Sequence, residues 1–134
     1  MSHPATQLIL VKDYMTASLV TFTPDMSILD AVYKLVDHRI SGAPVVDDRG
    51  QLLGMLTEKD CLKISLLAGY HGGTDGRVSE LMSQEVETVD AGMSIIDLAQ
   101  QFMAKPFRRY PVLSDGRLVG IISRRDVLKA LLKR

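Results

Sequence analysis

What most constrains this chain is that it is one pattern written twice. A shift of 67 positions lays Met26-Ser27-Ile28-Leu29-Asp30 on Met93-Ser94-Ile95-Ile96-Asp97, Val11-Lys12-Asp13-Tyr14-Met15-Thr16 on Val78-Ser79-Glu80-Leu81-Met82-Ser83, and Pro44-Val45-Val46 on Pro111-Val112-Leu113. One residue is then lost and the shift becomes 66, placing Leu52-Leu53-Gly54-Met55-Leu56-Thr57 on Leu118-Val119-Gly120-Ile121-Ile122-Ser123 and Asp60 on Asp126. Surface turns tolerate such a deletion, so the break falls where a duplicated fold would allow it. At 134 residues the chain fits one compact domain, or two small ones that share a core because neither buries enough surface alone.

Each copy reads as strand, helix, strand, strand, helix. Thr21-Phe22-Thr23 and Glu87-Thr88-Val89 are short extended stretches. Ile28, Ala31, Val32, Leu35 and Val36 recur at helical spacing behind Ser27 and Asp30, which form a capping start, and the twin helix runs Ile95, Leu98, Ala99, Phe102. Pro44-Val45-Val46 turns through Asp47-Asp48-Arg49-Gly50 into Leu52 to Thr57, and Asp115-Gly116 makes the second hairpin. Closing helices run from Glu58 to about Ala68 and from Arg124 to about Leu132, and glycine-rich residues from Gly69 to Gly76 join the copies.

Composition removes several classes of function. With 46% hydrophobic and 24% charged residues the chain is globular rather than disordered. Sixteen basic and sixteen acidic residues cancel, so no overall field draws it to nucleic acid or an anionic membrane, and any basic site is local. Cys61 is the sole cysteine, which excludes an internal disulfide and a thiolate metal cluster; it occupies an apolar helix position and reads as a core thiol. His3, His38 and His71 are isolated, so no metal is expected. Leu8-Ile9-Leu10-Val11 is too short for a signal core or membrane span, giving a cytoplasmic expectation. No nucleophile with a base, paired carboxylates or metal set is identifiable, so the chain is not expected to be an enzyme.

The elements Val-x-Asp/Glu-x-Met-Thr/Ser, Pro-Val-Val and Gly-x-x-Thr/Ser-x-x-Asp, in this order and duplicated, resemble the CBS (cystathionine β-synthase) domain family from about Val11 to Leu132. The resemblance implies an α/β (α+β) fold: two β-α-β-β-α motifs packed about a pseudo-two-fold axis. Motif 1 would span 8–69, a linker 70–77 and motif 2 78–134. It further implies a regulatory module that binds an adenosine-containing ligand, AMP, ADP, ATP or S-adenosylmethionine, not as a catalytic cofactor, and acts on a separate partner protein. The other reading is a ligand-free module for dimerisation or interaction.

The tetrads Thr57-Glu58-Lys59-Asp60 and Ser123-Arg124-Arg125-Asp126 stand where a strand meets a helix. A hydroxyl three residues before a carboxylate is a capping box that needs no ligand. The same helix start also favours a phosphate, and a carboxylate accepts ribose hydroxyls. By resemblance, Thr57 and Asp60 would serve one cleft, and Ser123 and Asp126 the other. The base slots would comprise Thr21, Phe22, Ile40, Ala43 and Pro44 in copy one, and Thr88, Val89, Phe107, Tyr110 and Pro111 in copy two, with Tyr110 the stacking candidate and Val89 and Phe107 equally readable as core. Copy one has Ser41-Gly42 where copy two has Arg108-Arg109; with Arg124 and Arg125 nearby in sequence, this is the one local basic concentration and the expected tighter anion site. Apolar helices ending Leu62, Ile64, Leu66-Leu67 and Val127, Leu128, Leu131-Leu132 predict a homodimer.

Overall fold

A computed structural model describes residues 9–72 and 76–133, the side chains of 65 and 67–72 excepted. Its elements are α1 (Val11–Tyr14), α2 (Ile28–Asp37), β1 (Gly42–Val46), β2 (Leu52–Thr57), α3 (Glu58–Gly72), α4 (Val78–Leu81), β3 (Val89–Asp90), α5 (Ile95–Ala104), β4 (Arg109–Ser114), β5 (Arg117–Ser123) and α6 (Arg124–Leu132). Helix α3 runs beyond the expected Ala68 into the stretch assigned to the linker, and 73–75 of that stretch lie outside the described residues.

The two helices that open the repeats start as expected. The Ser27 hydroxyl accepts from the Asp30 amide, and Ser94 from Asp97, both at 3.1 Å. Behind the caps, α2 buries Ile28, Ala31 and Leu35, and α5 buries Ile95, Leu98 and Phe102. Val36, which shares the helical spacing, is instead 68% exposed.

Both hairpins form. β4 and β5 pair antiparallel from Arg109↔Ser123 to Ser114↔Arg117, and the connecting residues Asp115 and Gly116 both take positive φ, 52° and 80°. That pair of left-handed residues is the turn whose twist matches the flanking strands. In the first copy the longer turn is organised by Asp47, whose Oδ1 accepts from the amides of Arg49 and Gln51, both at 2.9 Å.

The expected first strands are shorter than the sequence suggested. In copy two, β3 pairs parallel with β4 through Val89↔Val112 and Asp90↔Leu113, and the Ala91 amide donates to Leu113 O at 2.9 Å. In copy one, among the described residues, Phe22 alone bridges Val45. The repeat equivalent of Ala91 is Pro24, which has no N–H to donate, so the ladder stops a rung earlier.

The compact units do not follow the repeat boundaries. One comprises 9–19 with 87–133, the other 20–86. The first is built on Val11, Ile95, Leu98, Phe102, Tyr110, Val112 and Ile122, the second on Phe22, Ile28, Leu35, Val45, Leu56 and Val78. Each core thus includes a valine from the one-turn helix that precedes the other repeat: Val11 of α1 in one, Val78 of α4 in the other, both fully buried. Burying a valine contributes about 1.5 kcal/mol or more.

Candidate functional site

In each copy the strand that enters a closing helix ends on a hydroxyl. Thr57 N and Oγ1 both donate to Asp60 Oδ2 at 2.9 Å, while the Asp60 amide donates back to Thr57 Oγ1 at 3.2 Å. Ser123 and Asp126 repeat this box, with Ser123 N and Oγ donating to Oδ2 at 2.9 and 3.0 Å and the Asp126 amide returning at 3.2 Å. The capping role is therefore real in both copies. It does not exhaust the carboxylates, because both donors converge on Oδ2 and Oδ1 takes no part in the box.

The remaining amides at the helix starts are divided in the same way. The Glu58 amide donates to Ser41 O at 2.8 Å, and the Arg124 amide to Arg108 O at 3.1 Å. The first helical amide and the third are thus satisfied, and among the described residues the second, of Lys59 or Arg125, has no partner. Such an amide at the positive end of a helix dipole suits an anion.

These carbonyl contacts fasten the segment before each hairpin to the start of the closing helix. Ser41 and Arg108 are therefore brought beside the boxes, and the register sets Gly42 opposite Thr57 and Arg109 opposite Ser123. Arg108 and Arg109 are exposed, with Ser123 and Asp126 half-buried behind them. An arginine in register with a hydroxyl residue at a helix start, with a carboxylate three residues on, brings together donor and acceptor types that can engage a phosphorylated sugar. Copy one has glycine at the matching position, where an added Cβ would be tight, 3.1 Å from Leu56 O and 3.2 Å from the Thr57 methyl.

The base-slot residues divide by burial. Thr21, Ile40 and Thr88 are half-buried and accessible, as is Gly42, and Ser41 is exposed; Phe22, Ala43, Pro44, Val89 and Pro111 are buried in the cores and strands. Tyr110, the expected stacking residue, is only 1% exposed. Its ring is held by Phe102, centroids 5.0 Å apart, and by Phe107 edge-on at 5.7 Å. The burial of the two aromatics is the reverse of what their expected roles suggest: Phe107 is 42% exposed, and Tyr110 is buried against it. Residue type alone does not reveal this difference, because it depends on cover from a distant element: Phe107 lies two residues before β4, whereas Tyr110 lies inside it under the ring of Phe102 from α5.

Arg124 has a further place in the structure. It lines a hollow of about 470 Å³ between α5 and α6 with Lys105, Phe102, Val127, Leu128 and Leu131. Lys105 is ion-paired with Glu87, and that hydrogen bond and charge raise its ammonium above the ordinary lysine value. No spacing signal in the sequence marks this pair. Cys61 is buried on α3, and burial, followed by the charges of Asp60 and Glu58, pushes its thiol up. Among the described residues no group of histidine, cysteine, aspartate or glutamate could hold a metal, and no helix is long and apolar enough to cross a membrane.

The family model of the CBS domain matches residues 11–67 and 78–133. The chain belongs to the CBS domain family. Among CBS relatives, it is 35% identical over 117 residues to the CBS domain-containing protein YhcV of Bacillus subtilis, covering 87% of this chain and 81% of that one. A similar solved structure is CBSX2 of Arabidopsis thaliana in complex with AMP, at TM-score 0.79 and 33% identity, covering 93% of this chain and 97% of that one. The CBS domain pair of protein MJ0100, in complex with 5'-methylthioadenosine and S-adenosyl-L-methionine, superposes at TM-score 0.72 and 28% identity, covering 91% and 94%.

Proposed function

We propose that this chain is a non-catalytic regulatory module that binds an adenine nucleotide or S-adenosylmethionine and acts on a separate partner protein from the cytoplasm. The observation that carries the reading is the helix start at Ser123, where Asp126 Oδ1 lies outside the capping box, the Arg125 amide has no partner among the described residues, and Arg109 sits in register opposite. In this reading Asp126 accepts the ribose hydroxyls, Ser123, Arg108 and Arg109 hold phosphate, and Thr88 and Phe107 contact the base. Thr57 and Asp60, with Thr21, Ile40, Ser41 and Gly42, form the weaker equivalent. Two of the structural relatives carrying AMP, methylthioadenosine or S-adenosylmethionine supports the ligand class. Copy one, without a basic side chain at Gly42 and with a tight fit for any side chain there, favours a vestigial site and keeps the ligand-free interaction reading open for that repeat.

The test compares Asp126→Ala and Asp60→Ala in a thermal-shift panel of AMP, ADP, ATP, S-adenosylmethionine and guanine nucleotides. Each loses about 1 kcal/mol without ligand, because each loses a cap. At a hundredfold excess over the dissociation constant, wild type gains about 2.7 kcal/mol from one site. Asp126→Ala loses most of that gain and Asp60→Ala little of it. A full nucleotide-dependent shift in Asp126→Ala returns the residue to capping alone.

A homodimer belongs to the same proposal. Large apolar residues are exposed at matching repeat positions: Val36 with Met103 at 68% and 88%, Leu62 with Leu128 at 63% and 62%, and Leu66 with Leu132 at 83% and 85%. The same face left open twice is a surface for association rather than a packing accident. Light scattering at micromolar concentration is expected to return twice the chain mass, and a monomeric mass rejects the dimer.

A further inference from the structure

The segments that precede the two repeats dock by one template. Strap 1, around α1, is held by five backbone hydrogen bonds: Val11 N to Met93 O, Lys12 N to Ala91 O, Ile95 N to Ile9 O, and the reciprocal pair between Thr16 and Ile121, at 2.8 to 3.0 Å. Strap 2, around α4, makes the equivalent five: Val78 N to Met26 O, Ser79 N to Pro24 O, Ile28 N to Gly76 O, and the pair between Ser83 and Met55, at 2.9 to 3.0 Å. The details also match. The Leu10 amide donates to Asp13 Oδ2 and the Arg77 amide to Glu80 Oε1, at 3.0 and 2.7 Å. Each strap lays a methionine and a carbonyl on a glycine of the last strand: a Cβ on Gly120 would meet Met15 Sδ at 2.6 Å and Thr16 O at 2.9 Å, and one on Gly54 would meet Ser83 O at 2.6 Å and Met82 Sδ at 3.0 Å.

Two grooves of one shape therefore hold two straps of one shape, each strap on the repeat it does not precede. Strap 1 is joined to its groove only through the whole of 20–86, so no local connection keeps it there. Loop closure over such a length gives only a finite effective concentration, against which an identical strap on another molecule competes. Swapping an identical element between copies needs no new contact.

We propose that each groove is a strap-binding site that accepts either strap, and that a second copy of this chain can supply it by exchange. The groove reads an extended turn of the form Val-x-Asp/Glu-x-Met-Thr/Ser: a valine for the core, an acid to close the turn, a methionine over the glycine, and one β-rung at the end.

The test uses the full chain carrying Val11→Ala, which loosens strap 1 from its groove, with fluorescent peptides of residues 9–18 and 76–84 standing in for a second copy's straps. The variant is expected to melt roughly 3 to 8 °C below wild type, to bind one peptide per chain, and to recover most of the loss at saturation with either peptide. Wild type binds each at least tenfold more weakly, because its own strap occupies the groove. If Val11→Ala does not fold, Met15→Ala takes its place. The proposal is overturned if neither peptide binds, if 9–18 binds and 76–84 does not, or if a 9–18 peptide with Val11 and Met15 replaced by serine binds equally well.

Discussion

Tyr110 has the one buried side-chain polar atom without a partner among the described residues, its hydroxyl. A buried hydroxyl left unbonded costs about 1–3 kcal/mol in desolvation. Replacing it with phenylalanine keeps both ring contacts and removes that cost, so Tyr110→Phe is expected to leave the urea midpoint unchanged or raise stability by up to about 1 kcal/mol. A loss of stability would show that the hydroxyl is bonded in solution. The same residue marks a limit of reading chemistry from sequence. Thr57, Asp60, Ser123 and Asp126 were legible as boxes because capping depends on spacing alone. Tyr110 and Phe107 were not distinguishable, because burial depends on which residues of distant elements cover a ring.

At the scale of elements, the hairpins, their turns and the main helices were legible because each is decided locally, by period, caps and Asp-Gly. The shorter first strands were not read, although Pro24 was in plain view, since its effect becomes visible only once its twin Ala91 is seen donating to Leu113. The straps were recognisable as a motif, yet nothing in their residues says that they dock on the opposite repeat, because both grooves present the same chemistry. The glycines beneath them carry a direct test. A Cβ at Gly54 would sit 2.6 Å from the carbonyl oxygen of Ser83, which is backbone and has little room to give. Gly54→Ala is therefore expected to lose about 1–3 kcal/mol in chemical denaturation. An unchanged midpoint would mean that strap 2 is not seated on β2.

For the whole molecule, the division into units makes a prediction opposite to the one the repeats suggest. Residues 20–86 form a continuous unit that carries its own strap, whereas residues 20–69 hold the first repeat without either strap, lacking Val78 and the rung from Ser83 to Met55. Expressed alone, 20–86 is expected to melt cooperatively, though with the small stability of so short a domain, and 20–69 is expected to lack a cooperative transition by circular dichroism. Cooperative melting of 20–69 would show that the strap is dispensable. The other unit is interrupted in sequence, which gives its assembly an order in time. During synthesis the segment bearing Val11 is made before 20–86, and the strand and helix that receive it are made after the whole of 20–86. The inserted unit can close while the chain is still growing; the outer one waits, with Val11 and Met15 uncovered, until β5 and α6 have been made.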